Sequence, residues 1–210
     1  MRIAVIGAGN VGSTLGKGWA AKGHEVVCGV RNPGDVKVQD AVKATGGKAR
    51  AAGVKDAAAQ AEVVVLATPW GAAQEAIRAA ADLRNKVIVG ATNPLKADLS
   101  GLAVGYTTSA GEAVAGWAGG AKVVKAFNTT GAANMADPRF GGQSASMFIC
   151  GDDHGAKKIV ASLAQDLGFE AVDAGPLAQA RLLEPLAMLW ISMAYAYGHG
   201  PGIAFKLLRR

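Results

Sequence analysis

The chain has 210 residues and a mass of 21.2 kDa, room for one domain with a small appendage and too little for a multidomain assembly. Half of it is hydrophobic and 18% is charged, which excludes a disordered chain. The formal charge of +6 is concentrated in residues 1–60, which carry +5, without a basic run and with only 6% aromatic residues; this argues against nucleic acid and for a small phosphorylated ligand.

Arg2-Ile3-Ala4-Val5-Ile6 opens the chain as an apolar run of the kind buried on both faces of a sheet. Gly7-Ala8-Gly9-Asn10-Val11-Gly12 follows at once. A helix is expected from about Val11 to Ala21, with Val11, Leu15 and Trp19 on one face and Gly23 ending it. His24 to Val30 reads as a second apolar strand, which completes a strand–helix–strand unit of the length a right-handed crossover requires.

Further strands are predicted at 62–68, 86–91, 121–127, 146–150 and 169–173, with helices near 71–82, 110–117 and 154–167. This alternation implies an α/β, doubly wound, mostly parallel sheet whose ligand crevice lies outside the carboxyl ends of the strands. After Gly175-Pro176 the pattern changes to one long apolar helix, bent at Pro185, and a glycine-rich tail at 198–202. Residues 1–175 are read as the main domain and residues 176–210 as a small helical segment in which Leu182, Leu183, Leu186, Leu189 and Trp190 need burial, within the subunit or against a second copy. The most apolar stretch, 186–197, falls short of the roughly 18–20 residues that a membrane span needs. Cys28 and Cys150 end apolar runs, and no signal peptide is read, so free thiols in a reducing, cytoplasmic setting are expected.

Gly7, Gly9 and Gly12 form a GxGxxG that follows a strand and opens a helix, the context in which this pattern binds a dinucleotide. Gly7 permits the tight turn, Gly9 the approach of a pyrophosphate, and Gly12 close packing of helix on strand; the helix N-terminus adds free N–H groups and a positive dipole end. An acidic residue at the end of the second strand would read the ribose 2′-hydroxyl, but this chain has Arg31-Asn32 there. A guanidinium fork suits a 2′-phosphate, so the expected cofactor is NADP(H). Lys37, Lys48 and Arg50 add positive charge, though solvated surface positions explain them more simply.

The strand ends Thr68-Pro69-Trp70, Asn93-Pro94 and Asn128 are expected to line the nicotinamide edge of the crevice. Turn chemistry accounts for each singly; the set favours a pocket. Asp152-Asp153 reads as a helix cap, and His24, His154 and His199 are far apart in sequence, so no metal site is expected. The chain has no Gly-x-Ser-x-Gly and no Tyr-x-x-x-Lys pair. No catalytic side chain is therefore expected, and the acceptor is one that needs no strong protein acid.

The glycine motif, Gly23-His24-Glu25-Val26-Val27 running to Arg31, Thr68-Pro69-Trp70, Cys150-Gly151-Asp152-Asp153 with Lys157-Lys158, and Asp173-Ala174-Gly175-Pro176-Leu177 with Ala180-Arg181-Leu182-Leu183-Glu184 together resemble the coenzyme F420:NADP oxidoreductase family over nearly the whole chain. Lys125-Ala126-Phe127-Asn128-Thr129 also resembles the cytoplasmic oxidoreductase domain of the STEAP metalloreductases. The resemblance implies a Rossmann-like NADP domain, a C-terminal segment that helps close the cleft and supports a homodimer, and direct hydride transfer between NADPH and a deazaflavin. By position it implies pyrophosphate binding by Gly7, Gly9, Asn10, Val11 and Gly12, and 2′-phosphate binding by Arg31, beside which the Asn32 amide can donate. Thr68, Pro69 and Trp70 would take the nicotinamide side, and Asn93, Pro94 and Asn128 would border the acceptor pocket. Two positions depart from the family: Val30 stands where a serine is common, and Asn128-Thr129 where an archaeal-type enzyme has His-Thr. Two further readings keep the same NADP site: a reductase of another acceptor (a flavin, quinone or cyclic imine) and a non-catalytic redox sensor.

Overall fold

The structure is a computed structural model that describes residues 1–43 and 45–210. β1 (Arg2–Ile6) leads through α1 (Asn10–Ala21) to β2 (Glu25–Val30), then α2 (Val36–Lys43), β3 (Ala49–Gly53), α3 (Val54–Gln60), β4 (Val63–Leu66), α4 (Trp70–Ala79), β5 (Val87–Gly90), α5 (Ala110–Trp117) and β6 (Lys122–Lys125). There follow α6 (Ala132–Ala136), a small hairpin of β7 (Arg139–Phe140) and β8 (Gln143–Ser144), β9 (Ser146–Gly151), α7 (His154–Asp166) and β10 (Glu170–Asp173). A 3-10 turn at Leu177–Gln179 then enters α8 (Ala180–Ile191), which widens into a π-helical turn at Ser192–Ala196.

Eight strands form one sheet in the order β10-β9-β6-β5-β4-β1-β2-β3. Every pairing is parallel except β6 with β9, where Val124 faces Gly151. From β1 the chain winds outward through β2 and β3, then returns to β4 on the other side of β1. The winding therefore reverses between β1 and β4, and their carboxyl ends open the crevice at that point. Val, Ile and Leu on both sheet faces supply two apolar layers. One packs Leu15 and Trp19 of α1 with Val160 and Leu163 of α7; the other packs Ala57, Ala73, Ile77 and Val114 of α3, α4 and α5.

The predicted strands and helices are present, most with ends shifted by one to three residues. Residues 36–60 hold three elements that periodicity did not reveal, because this stretch is rich in Ala, Gly and Lys. β3, at the sheet edge, is held there by backbone pairing with β2, from Val26 with Ala49 to Val30 with Gly53. Near the C-terminus, α8 is continuous across Pro185, and Leu183 and Trp190 are buried while Leu182 and Leu189 are 66% and 51% exposed. Burial within the subunit thus covers only one side of this helix. The tail then straps back over the sheet: Trp190 Nε1 donates to the Ile203 carbonyl at 2.7 Å, and the Ser146 N–H to the Phe205 carbonyl at 2.9 Å. Cys28 and Cys150 are free and buried, and burial pushes the Cys150 thiol up to about 12. Among the described residues, no helix is long and apolar enough to cross a membrane.

Candidate functional site

The glycine loop has the geometry that its spacing predicts. Gly7 turns the chain at φ +107°, a conformation that side chains resist, and donates its N–H to the Gly29 carbonyl at 3.2 Å. A Cβ on Gly7 would strike the Ala67 carbonyl oxygen at 2.7 Å, so the turn after β1 lies directly against the tip of β4. α1 begins with Gly9 as its N-cap, without a side-chain cap and with no acidic residue in its first turn. A Cβ on Gly9 would meet no protein atom within 4 Å. The helix therefore points an uncapped positive end into open space, which fits a pyrophosphate. Asn10 is exposed and Val11 half-buried against the core.

Arg31 lies just past β2, exposed, with no hydrogen bond or ion pair to another described residue. Asn32 is also exposed, and its Oδ1 accepts from the Gly34 N–H at 3.1 Å, leaving its Nδ2 to donate outward. Lys48 and Arg50 do not join these two. They stand at the start of β3, the opposite end of the sheet from Arg31, and Arg50 bonds Gln60 and approaches Glu25 at 3.8 Å.

The other strand tips are stitched together. Thr92 Oγ1 donates to the Thr68 carbonyl at 2.7 Å, which ties β5 to β4. Asn93 Nδ2 donates to the Asn128 carbonyl at 2.8 Å, and Asn128 Nδ2 returns to Asn93 Oδ1 at 3.1 Å and reaches the Leu183 carbonyl at 3.0 Å. Pro69 is exposed and caps α4, and Pro94 is buried. The Trp70 ring stacks on Trp117 with centroids 5.3 Å apart, so the ring is committed to packing. Among the described residues, two buried side-chain polar atoms have no partner, Thr68 Oγ1 and Asn128 Oδ1. Leaving such atoms unmade is costly, and both belong to the strand tips that the sequence singles out.

Three residues to which the sequence assigned no role of their own shape this edge. Phe127 holds the left-handed φ of +56° although fully buried, clamped edge-to-face by Trp19 at 5.5 Å and Phe169 at 6.4 Å. That strained turn delivers the chain into Asn128. Lys125 and Glu184 form an ion pair of 2.7 Å with side chains 1% and 0% exposed. Burial pushes Lys125 down from the ordinary lysine range, against the opposing pull of the Glu184 carboxylate. The signal was available: Lys125 ends an apolar strand and Glu184 interrupts an apolar helix, and neither residue type enters a core without a partner.

Comparison with known proteins agrees with this geometry. Residues 2–94 match the family model described as NADP oxidoreductase, coenzyme F420-dependent. A crystal structure of a chain assigned as an F420-dependent NADP reductase, from Arthrobacter sp. FB24, is 35% identical with a TM-score of 0.91, and the match covers 100% of both chains. The F420-dependent NADP reductase of Methanocaldococcus jannaschii is 29% identical over 218 residues, 97% of either chain. The metalloreductase STEAP3 of Rattus norvegicus is 30% identical over 195 residues; the match takes in 90% of this chain, which spans only 37% of that relative.

Proposed function

The chain belongs to the coenzyme F420-dependent NADP oxidoreductase family, and from that premise we propose how its residues serve hydride exchange between NADP(H) and the deazaflavin F420. It is an NADP-dependent oxidoreductase. The observation that carries the reading is an uncapped glycine-loop helix set directly beside the β4 tip, together with two unpartnered buried polar atoms on neighbouring strand tips, Thr68 Oγ1 after β4 and Asn128 Oδ1 after β6. Those groups fit a dinucleotide whose phosphates meet the loop and whose carboxamide meets Thr68, with the acceptor against Asn128.

Gly7, Gly9, Asn10, Val11 and Gly12 hold the pyrophosphate, and Arg31 with the Asn32 amide holds the 2′-phosphate. Thr68, Pro69 and the start of α4 at Trp70 flank the nicotinamide, while Asn93, Pro94 and Asn128 border the acceptor. When bound, the two cofactors would supply the reactivity, hydride exchange between nicotinamide and deazaflavin, and the residues named here would hold and orient them. The protein's task is to hold the reacting carbons roughly 3–3.5 Å apart and keep bulk water out. No protein acid is required, in keeping with the amide, hydroxyl and proline side chains of Thr68, Pro69, Asn93, Pro94 and Asn128.

Residues 176–210 close the crevice from the β6 side and carry a homodimer contact. In support, Asn128 bonds the Leu183 carbonyl, and Leu182, Leu189 and Tyr195 expose an apolar stripe with no charged residue after Glu184 until the tail. Two copies of such a stripe bury each other across a two-fold axis. Two buried free thiols suit a reducing cytoplasm.

An anaerobic absorbance assay with NADPH and oxidised F420, with NADH as donor control and free flavin as acceptor control, tests the function. Bleaching of the deazaflavin band with NADPH at catalytic protein concentration is the expected result. NADPH binding without turnover of F420 would overturn the acceptor and return weight to another acceptor or to a sensor.

A further inference from the structure

The crevice edge is built on two runs of hydrogen bonds, joined through the adjacent pairs Thr92-Asn93 and Leu183-Glu184, one of which passes through a buried ion pair. Thr68 accepts from Thr92 Oγ1, and the Thr92 carbonyl accepts from Lys125 Nζ. Lys125 Nζ also donates to Glu184 Oε1 at 2.7 Å. Glu184 further accepts the backbone N–H groups of Ala110 at 2.9 Å and Gly111 at 3.1 Å, which pins the start of α5. Next to it in α8, the Leu183 carbonyl takes the Asn128 amide, and Asn128 and Asn93 bond each other twice. Four elements, β4, β5, β6 and α8, are thereby tied around the two unpartnered atoms.

Well-packed apolar residues would serve stability at least as well as a buried ion pair, because desolvating two charges offsets most of their attraction. What the pair adds here is placement: an ammonium draws in one carbonyl and one carboxylate at set distances, where a methyl group would bond neither. We propose that Lys125 and Glu184 are positioning residues for the edge where nicotinamide and acceptor meet, holding the strand tips so that Thr68 and Asn128 present their free oxygens together. Neither residue is itself free to meet the cofactor, since both are enclosed and bonded within the fold. The inference rests on the NADP reading, so NADPH titration of the unchanged protein comes first and separates failure of that reading from failure of this one.

The decisive variant is the double substitution Lys125→Met with Glu184→Gln, which removes both charges together and avoids the isolated buried charge that each single change leaves. Three quantities are measured: melting temperature, affinity for 2′-phospho-ADP-ribose, which lacks the nicotinamide, and the fluorescence of bound NADPH. The fragment should bind within about twofold of the parent, because the glycine loop and Arg31 are untouched. The fluorescence of bound NADPH should move toward that of the free cofactor, and single-turnover hydride transfer should slow by about 100-fold, the scale of a 1 Å misplacement. Unchanged NADPH fluorescence and hydride rate would overturn the proposal. So would a parallel loss of fragment affinity, or failure of the double variant to fold, since either would make the pair a general support of the structure.

Discussion

A Cβ placed on Gly12 would lie 2.0 Å from the carbonyl oxygen of Gly7. The turn after β1 and the first turn of α1 are thus in backbone contact, and a methyl group does not fit between them. Gly9, between the two, would meet nothing with the same addition. Gly12→Ala is expected to lower stability by at least about 1–3 kcal/mol, the cost of overpacking, seen as a fall in melting temperature. Gly9→Ala should melt like the parent and bind NADPH at least about tenfold more weakly, because its open space is the space the phosphates need. A Gly9→Ala protein with full NADPH affinity would remove the pyrophosphate from this loop.

Arg31 bonds nothing in the described protein, so Arg31→Ala should leave the melting temperature unchanged. NADPH affinity should drop by about 1–3 kcal/mol, the range for a hydrogen bond to a charged group, with much less effect on NADH. Equal losses for both cofactors, measured by titration, would show that another residue reads the 2′-phosphate.

Thr68 Oγ1 has no partner, whereas most buried hydroxyls do. Thr68→Val keeps the shape and removes an oxygen that contributes nothing to the cofactor-free fold. The variant should therefore melt no lower than the parent without cofactor, yet gain less thermal stabilisation from saturating NADPH. A melting temperature that falls without cofactor and rises normally with it would mean that the hydroxyl serves the fold.

Leu182 and Leu189 are exposed on the outer side of α8. With a homodimer built on that stripe, the double variant Leu182→Gln, Leu189→Gln should shift the mass seen by light scattering from two chains to one. The individual subunit should keep its fold, since Leu183 and Trp190 hold the inner side. A parent protein that is already monomeric at micromolar concentration would overturn the dimer.

Acid should destabilise the protein through its paired carboxylates. Arg181 grips Glu112 with Nε at 2.9 Å from Oε2, and this bond, with that from Ser109, holds the Glu112 carboxyl below its ordinary value of 4.5. Glu62, bonded by the Arg2 N–H, and Glu170, bonded by Lys206, are lowered as well. A lowered carboxyl binds fewer protons folded than unfolded, so its contribution is present above the unfolded value and disappears as pH falls through the folded one. The melting temperature should be level from pH 7 to about 5 and fall below about 4.5. Arg181→Met should lie below the parent at pH 7 and approach it near pH 3; parallel curves would show that the pair adds nothing.

Much of this protein was legible in its residues because the relevant signals are local. Uninterrupted Val and Ile runs, a glycine spacing that only one turn geometry uses, and Arg31 in place of an acid each state their meaning within about thirty residues, the span of one crossover unit. The elements between 36 and 60 were not legible, since alanine and glycine fit several backbones equally and β3 forms only because β2 is beside it. The strained Phe127, the unpartnered oxygens of Thr68 and Asn128, and the union of Lys125 with Glu184 across 59 positions are relations between distant segments. Local propensity carries no record of such contacts. They arise when burial brings the strand tips and α8 to one place and forces each polar group there to find a partner or to wait for a ligand.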